Sequence, residues 1–193
     1  MLRKQAKILT DQQLTTMLAW VGTQRNAERN QLIVLLSFRA GLRAREISEL
    51  RWSMVTDATA HISDVIALTN DASKGKNGGR HIAMNKDIHA QLELLKKQPT
   101  DPNDFIVKSE RGGGMSAQVI VNTFRDWYKK LGFTGCSSHS GRRTAITRWA
   151  RQVSLVGGSL RDVQIMAGHA FLTTTSKYIE CDSDAQRKLV DIK

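Results

Sequence analysis

Four scattered stretches of this sequence carry side chains able to do chemistry. In "AGLRAREISEL", Arg43 and Glu46 lie three positions apart. On a helix they share a face, and the carboxylate can hold the guanidinium in one orientation. In "SSHSGRRTAITRWA", His139 and Arg142 have the same spacing. Two cationic groups side by side repel unless an anion lies between them, so an anionic substrate is the more economical explanation of that pair. Lys74 opens the glycine-rich "SKGKNGGR", which is not a Walker phosphate loop because its glycines and lysine stand in the wrong order. The fourth stretch, "MAGHAFLTTTSKYIE", sets Gly168-His169 nine positions before Tyr178. Taken singly, the first three have ordinary readings: a surface ion pair, a basic helix face, a solvated turn lysine.

The chain has two tyrosines, and they differ. Tyr128 lies among Ile120, Phe124, Trp127 and Leu131 at helical spacing, which is a packing role. Tyr178 has no such complete stripe around it.

Positioning these groups falls to a mainly α fold with a small antiparallel β-sheet. Thr10 with Gln13 three positions on resembles a capping box and opens a helix through about Trp20. "NAERNQLIVLLSFRA" is apolar nearly all round, as a helix buried by its neighbours would be. After Gly41, "LRAREISEL" reads as a further helical stretch with Leu42, Ile47 and Leu50 turned inward. Strand signals follow at 65–68 and 80–84, joined by a turn rich in glycine and asparagine. "NKDIHAQLELLKKQ" has Ile88, Leu92 and Leu95 on one face and stops before Pro99, and "RGGG" at 111–114 marks a loop. Helices are expected at 116–131, at roughly 139–153, and from Ser159, where Asp162 stands three positions on. "SDAQRKLVDIK" reads as a short tail helix.

Composition narrows the function classes. Twenty-nine Lys and Arg against eighteen Asp and Glu give a formal charge of +11, which favours a polyanionic partner, nucleic acid first and anionic membrane second. Residues 127–161 contain seven Lys or Arg and no Asp or Glu. Such a stretch is either a solvated basic surface or a face laid against phosphates, where counterion release makes affinity fall with salt; the overall charge favours the second. No apolar run approaches the roughly 20 residues that span a bilayer, and no secretory signal is evident, so a reducing cytoplasm is expected. Cys136 and Cys181 each lack a second cysteine nearby, so neither a disulfide framework nor a zinc site is expected.

In order and spacing these stretches resemble the tyrosine recombinase (phage integrase) family: an Arg in "GLR" with a Glu three on, a Lys in a β-hairpin, a His-x-x-Arg box, then Gly-His with a Tyr nine later. The resemblance runs from about Thr10 to Ile179. It implies a catalytic set of Arg43, Lys74, His139, Arg142, His169 and Tyr178, supported by Glu46. Lys76 competes with Lys74 for the role of hairpin acid. Arg143, Arg148, Arg151 and Lys76 are the expected DNA contacts. No cofactor and no metal is implied.

The resemblance also gives each residue type a task. Two guanidiniums, Arg43 and Arg142, offset the repulsion between a phosphodiester and an attacking oxygen. An ordinary phenol, with a pKa near 10, is ionised only about one part in a thousand at pH 7, so the nucleophile needs a base or a strong positive field. His139 fits the base, His169 the donor to a phosphoryl oxygen, and the hairpin lysine the acid for the departing 5′ oxygen.

What the resemblance implies is a site-specific DNA recombinase working through a covalent 3′-phosphotyrosyl intermediate on double-stranded recombination sites. Four copies on two duplexes are expected, monomeric or dimeric when free, in a bacterial or phage-derived setting near the nucleoid. The whole of 1–193 is expected to be a single catalytic domain without a separate N-terminal clamp, in the proportions of the short fimbrial phase-variation recombinases. The alternatives are a non-catalytic DNA-binding regulator of recombination and a strand-relaxing enzyme of the type IB topoisomerase kind.

Overall fold

The computed structural model describes residues 5–73, 79–96 and 100–178. Eight α-helices and one two-stranded sheet are present among them. The centre is α2 (Ala27–Phe38), in which every residue from Leu32 to Phe38 is buried. It is covered by α1 (Asp11–Gly22), α3 (Ala44–Ser48), α4 (Lys86–Leu95) and α6 (Ser140–Gln152). A helix packed on several sides has no polar face to spare, which is why its sequence shows so little amphipathic period.

Local signals set the ends of these helices. The Thr10 hydroxyl accepts the Gln13 backbone N–H (3.2 Å), while the Gln13 side chain accepts that of Thr10 (2.9 Å), which satisfies two orphan donors of α1 at once. Gly41, at φ +63°, turns the chain after α2; the Leu42 N–H then reaches the Leu36 carbonyl at 3.0 Å. A Cβ at Gly41 would stand 2.9 Å from the Trp149 ring, so the position demands glycine twice over. α5 (Ala117–Lys130) buries Ile120, Phe124, Trp127 and Tyr128 against the same core, as the stripe around Tyr128 requires. Burial drives the Tyr128 phenol well above its ordinary pKa, so this tyrosine is inert packing.

The sheet is a hairpin of β1 (Val65–Leu68) and β2 (Arg80–Ala83), antiparallel, with Ile66 opposite Ile82 and Leu68 opposite Arg80. Ile66, Leu68, Arg80 and Ile82 point inward. The sequence also supports three elements that its periodicity does not announce: 3₁₀ turns at Trp52–Met54 and Val153–Val156, and the five-residue α8 (Leu172–Ser176). α7 (Leu160–Ala167) starts at Ser159 as expected, with Asp162 accepting the Ser159 N–H at 2.7 Å. The expected tail helix at 183–193, the hairpin tip with Lys74 and Lys76, and Cys181 lie outside the described residues.

Among the described residues, the core falls into two apolar clusters. The large one joins α1 to α5 and the hairpin; the small one consists of Ile146, Val163 and Ala167, with Trp149, Ala150, Val153 and Tyr178 packed around them.

Candidate active site

A cleft of about 520 Å³ opens between these clusters, and Arg43, His139, Arg142, Arg143, His169 and Tyr178 all line it. Five of the six residues expected to carry chemistry therefore meet in one place. Lys74, the sixth, lies outside the described residues, as does Lys76.

The arginine side of the cleft is built on one carboxylate. Glu46 is fully buried; its Oε1 accepts Arg43 Nη1 at 2.8 Å, and its Oε2 accepts the Arg43 backbone N–H at 2.8 Å. The same carboxylate is gripped by both terminal nitrogens of Arg80, at 2.8 and 3.1 Å. Burial pushes the Glu46 carboxyl up, but the hydrogen bonds and charges of Arg80 and Arg43 outweigh it and hold the group below its usual range. Glu46 is thus ionised, and Arg43, about three-tenths exposed at its side chain, is aimed into the cleft from a fixed base.

Arg80 is a residue the sequence reading missed. Its side chain is 5% exposed, and beyond Glu46 its Nε donates to the Met166 carbonyl at 2.8 Å, tying the hairpin to α7. The available signal was the two-residue period of β2, which puts Arg80 on the same face as buried Ile82.

Arg142, on the first turn of α6, is held by backbone rather than by acids. Nη1 donates to the Gly41 carbonyl (2.6 Å), and Nη2 to the Ala167 carbonyl (2.5 Å) and to His169 Nε2 (3.1 Å). Burial, reinforced by Arg43, pushes its pKa down to about 10, which leaves it cationic at neutral pH. Because carbonyls carry no full charge, the guanidinium keeps its positive charge for whatever enters the cleft.

His169 follows Gly168, whose φ of +62° ends α7. A Cβ on Gly168 would lie 2.9 Å from Arg80 Nη1, so the close approach of Arg80 also requires glycine. Buried Gln164 fixes the turn by donating to the carbonyls of His169 (3.0 Å) and Ala170 (3.2 Å). Burial first, then the charges of Arg142, Arg43 and Arg80, push the His169 imidazole down to about 4, so the ring is neutral at pH 7. The Tyr178 ring stacks on it, centroids 5.5 Å apart and planes 21° apart, and the residue is half-buried at the cleft wall. His139 is exposed at the mouth of the cleft.

The expected DNA contacts divide. Arg143 borders the cleft and donates to the Ala6 carbonyl at 2.9 Å. Arg148 and Arg151 line a separate groove beside the start of α1, where Arg148 pairs with Asp11. Among the described residues no group of three or more His, Cys, Asp or Glu gathers as metal ligands would, and no helix is long and apolar enough to cross a membrane.

The sequence model of the phage integrase family matches residues 7–184. Over 169 residues the chain is 25% identical to the tyrosine recombinase XerC of Anoxybacillus flavithermus, covering 83% of this chain and 52% of that protein. It is 25% identical over 168 residues to the tyrosine recombinase XerA of Pyrococcus horikoshii, covering 84% and 54%. The chain therefore spans about half the length of these relatives. Among solved structures, an integrase of the Tn1549 transposon in complex with a circular intermediate DNA superposes with a TM-score of 0.75 at 19% identity, over 98% of this chain and 66% of that one. The catalytic domain of bacteriophage HP1 integrase superposes with a TM-score of 0.66 at 18% identity, over 98% and 96%. With this fold, and with a family match that runs through nearly all of its length, the chain belongs to the phage integrase family.

Proposed function

We propose that this protein is a site-specific DNA recombinase that cuts and rejoins double-stranded DNA through a covalent 3′-phosphotyrosyl link. The observation that supports it is the convergence of Arg43, His139, Arg142, His169 and Tyr178 on one cleft. In this reading the guanidiniums of Arg43 and Arg142 grip the non-bridging oxygens of a backbone phosphate and offset the charge that builds in the transition state. The Tyr178 oxygen bonds to phosphorus as the bond to the 5′ oxygen breaks. The phenolic proton passes to His139, and the departing 5′ oxygen takes a proton from the hairpin lysine, Lys74 or Lys76. His169, once protonated on Nε2, donates to a phosphoryl oxygen. Attack by a different 5′ hydroxyl reverses these steps and releases the tyrosine, so the bond energy is retained without a nucleotide cofactor.

The partners in this reading are two duplex recombination sites held by four copies of the chain. The test uses nicked duplex fragments tiling the DNA around the gene, incubated with the protein and run on a denaturing gel. Wild type forms a covalent protein–DNA adduct and Tyr178→Phe forms none; an adduct persisting in the variant moves the nucleophile elsewhere, and a wild type without any adduct removes the enzymatic reading.

A further inference from the structure

Thr175 touches both residues of the nucleophile side. It is fully buried in α8; its Oγ1 lies 3.0 Å from His169 Nδ1, and its carbonyl accepts the Tyr178 N–H at 3.0 Å. We propose that Thr175 is a positioning residue whose hydroxyl accepts a hydrogen bond from the proton-bearing Nδ1 of His169 and so holds the ring with Nε2 towards Arg142, and that it rotates to donate when a phosphoryl oxygen enters the cleft and the proton moves to Nε2. The reversal rests on the phosphate-binding reading above; the starting state does not.

The starting state follows from donors and acceptors alone. His169 Nε2 is 3.1 Å from Arg142 Nη2, and a guanidinium has only donors, so Nε2 must accept. A neutral imidazole has one N–H, which is then on Nδ1 and donates to Thr175 Oγ1. The groups facing the ring are Arg142 from α6, Arg43 ahead of α3, Arg80 from β2 and Tyr178 beyond α8. Three of these are cations, and together with burial they keep the ring neutral.

An anionic oxygen beside Nε2 reverses the requirement, since it accepts and the ring must donate. The Nε2–H tautomer leaves a lone pair on Nδ1, and the Thr175 hydroxyl serves it by rotating to donate along the same contact. An ionised carboxylate in this place would only accept, and would hold the proton on Nδ1. A methyl group would serve neither tautomer, leaving one buried ring nitrogen without a partner. Serine keeps the hydroxyl and loses only a methyl. Because the same residue also anchors the Tyr178 backbone, ring and nucleophile are oriented from one point.

The test labels the histidine imidazoles of the full chain with nitrogen-15 and reads tautomers from long-range proton–nitrogen spectra, with inorganic phosphate as the probe. Expected for wild type and Thr175→Ser is a proton on Nδ1 in the free protein that moves to Nε2 as phosphate saturates the cleft. Expected for Thr175→Val is a proton still on Nδ1 in the free protein, because Arg142 still donates to Nε2, but a ring that has lost its Nδ1 partner and phosphate bound about tenfold more weakly. A proton on Nε2 in free wild type overturns the proposal. So does a folded Thr175→Val with the wild-type phosphate response, or a Thr175→Ser as impaired as the valine. If the valine variant does not fold, the wild-type and serine tautomers decide. Phosphate that leaves the Arg43 and Arg142 side-chain signals unmoved overturns the phosphate site instead, while the free-protein tautomers still decide the role of Thr175.

Discussion

The large apolar cluster and the small one hold opposite sides of the same cleft by different means. On the large side, Arg43 and Arg80 share a buried carboxylate through paired ionic hydrogen bonds. On the small side, three fully buried residues carry His169 and Tyr178, which are oriented by single hydrogen bonds with Arg142, Gln164 and Thr175 and by a ring stack. Around that side Leu155 (81%), Val156 (82%) and Phe171 (70%) are exposed, so much of its apolar surface gains nothing from burial. The difference teaches that the arginine side is part of the main core, whereas the side that carries the proposed nucleophile has less buried apolar surface to hold it closed.

The strongest way to break this comparison is Glu46→Ala. It strands the Arg80 guanidinium without its counter-charge, and an unpaired buried ion costs about 3–5 kcal/mol, to be read as a lowered urea midpoint. Next, Leu36→Ala in the large cluster should cost about 2–5 kcal/mol. Val163→Ala, which removes two methyl groups from the small one, should cost about 1.5 kcal/mol. Hydrogen exchange sharpens the contrast: Leu36→Ala speeds exchange across α1, α2 and α4, Val163→Ala only from the Ile146 turn of α6 through α7 to Tyr178. Equal spread in both would dissolve the distinction.

Gly168→Ala is smaller again. It places a side chain at φ +62° and a methyl 2.9 Å from Arg80 Nη1, for a loss of about 1–2 kcal/mol by thermal melting. A comparable effect is in pH. His169 is held near 4 when folded and returns to its ordinary value, 6.5, when unfolded, so the unfolded chain binds the extra proton. Stability is then full above the unfolded value and falls as pH drops through the window between the two. His169→Gln should flatten that slope in urea titrations compared between about pH 7 and about pH 5.

Much of this was legible from local chemistry. The Arg43–Glu46 spacing, the capping pairs Thr10–Gln13 and Ser159–Asp162, and the stripe that consigns Tyr128 to the core each depend on residues within a turn or two of one another. The rest was hidden because its partners are distant or are backbone. Arg80 meets Glu46 across 34 positions, and no local pattern encodes that meeting. Arg142 takes its bonds from the carbonyls of Gly41 and Ala167, which any residue type supplies. α8 is a five-residue helix in which "LTTTS" supplies β-branched threonines in place of an amphipathic period, so neither it nor the task of Thr175 stood out.

The fan of bonds around Arg142 has a consequence for the order of assembly. In a chain made from its N-terminus, the Gly41 end of that fan is synthesised long before the Ala167 end. The cleft is thus completed late in synthesis, and a chain stopped before Ala167 has one end of that fan without the other.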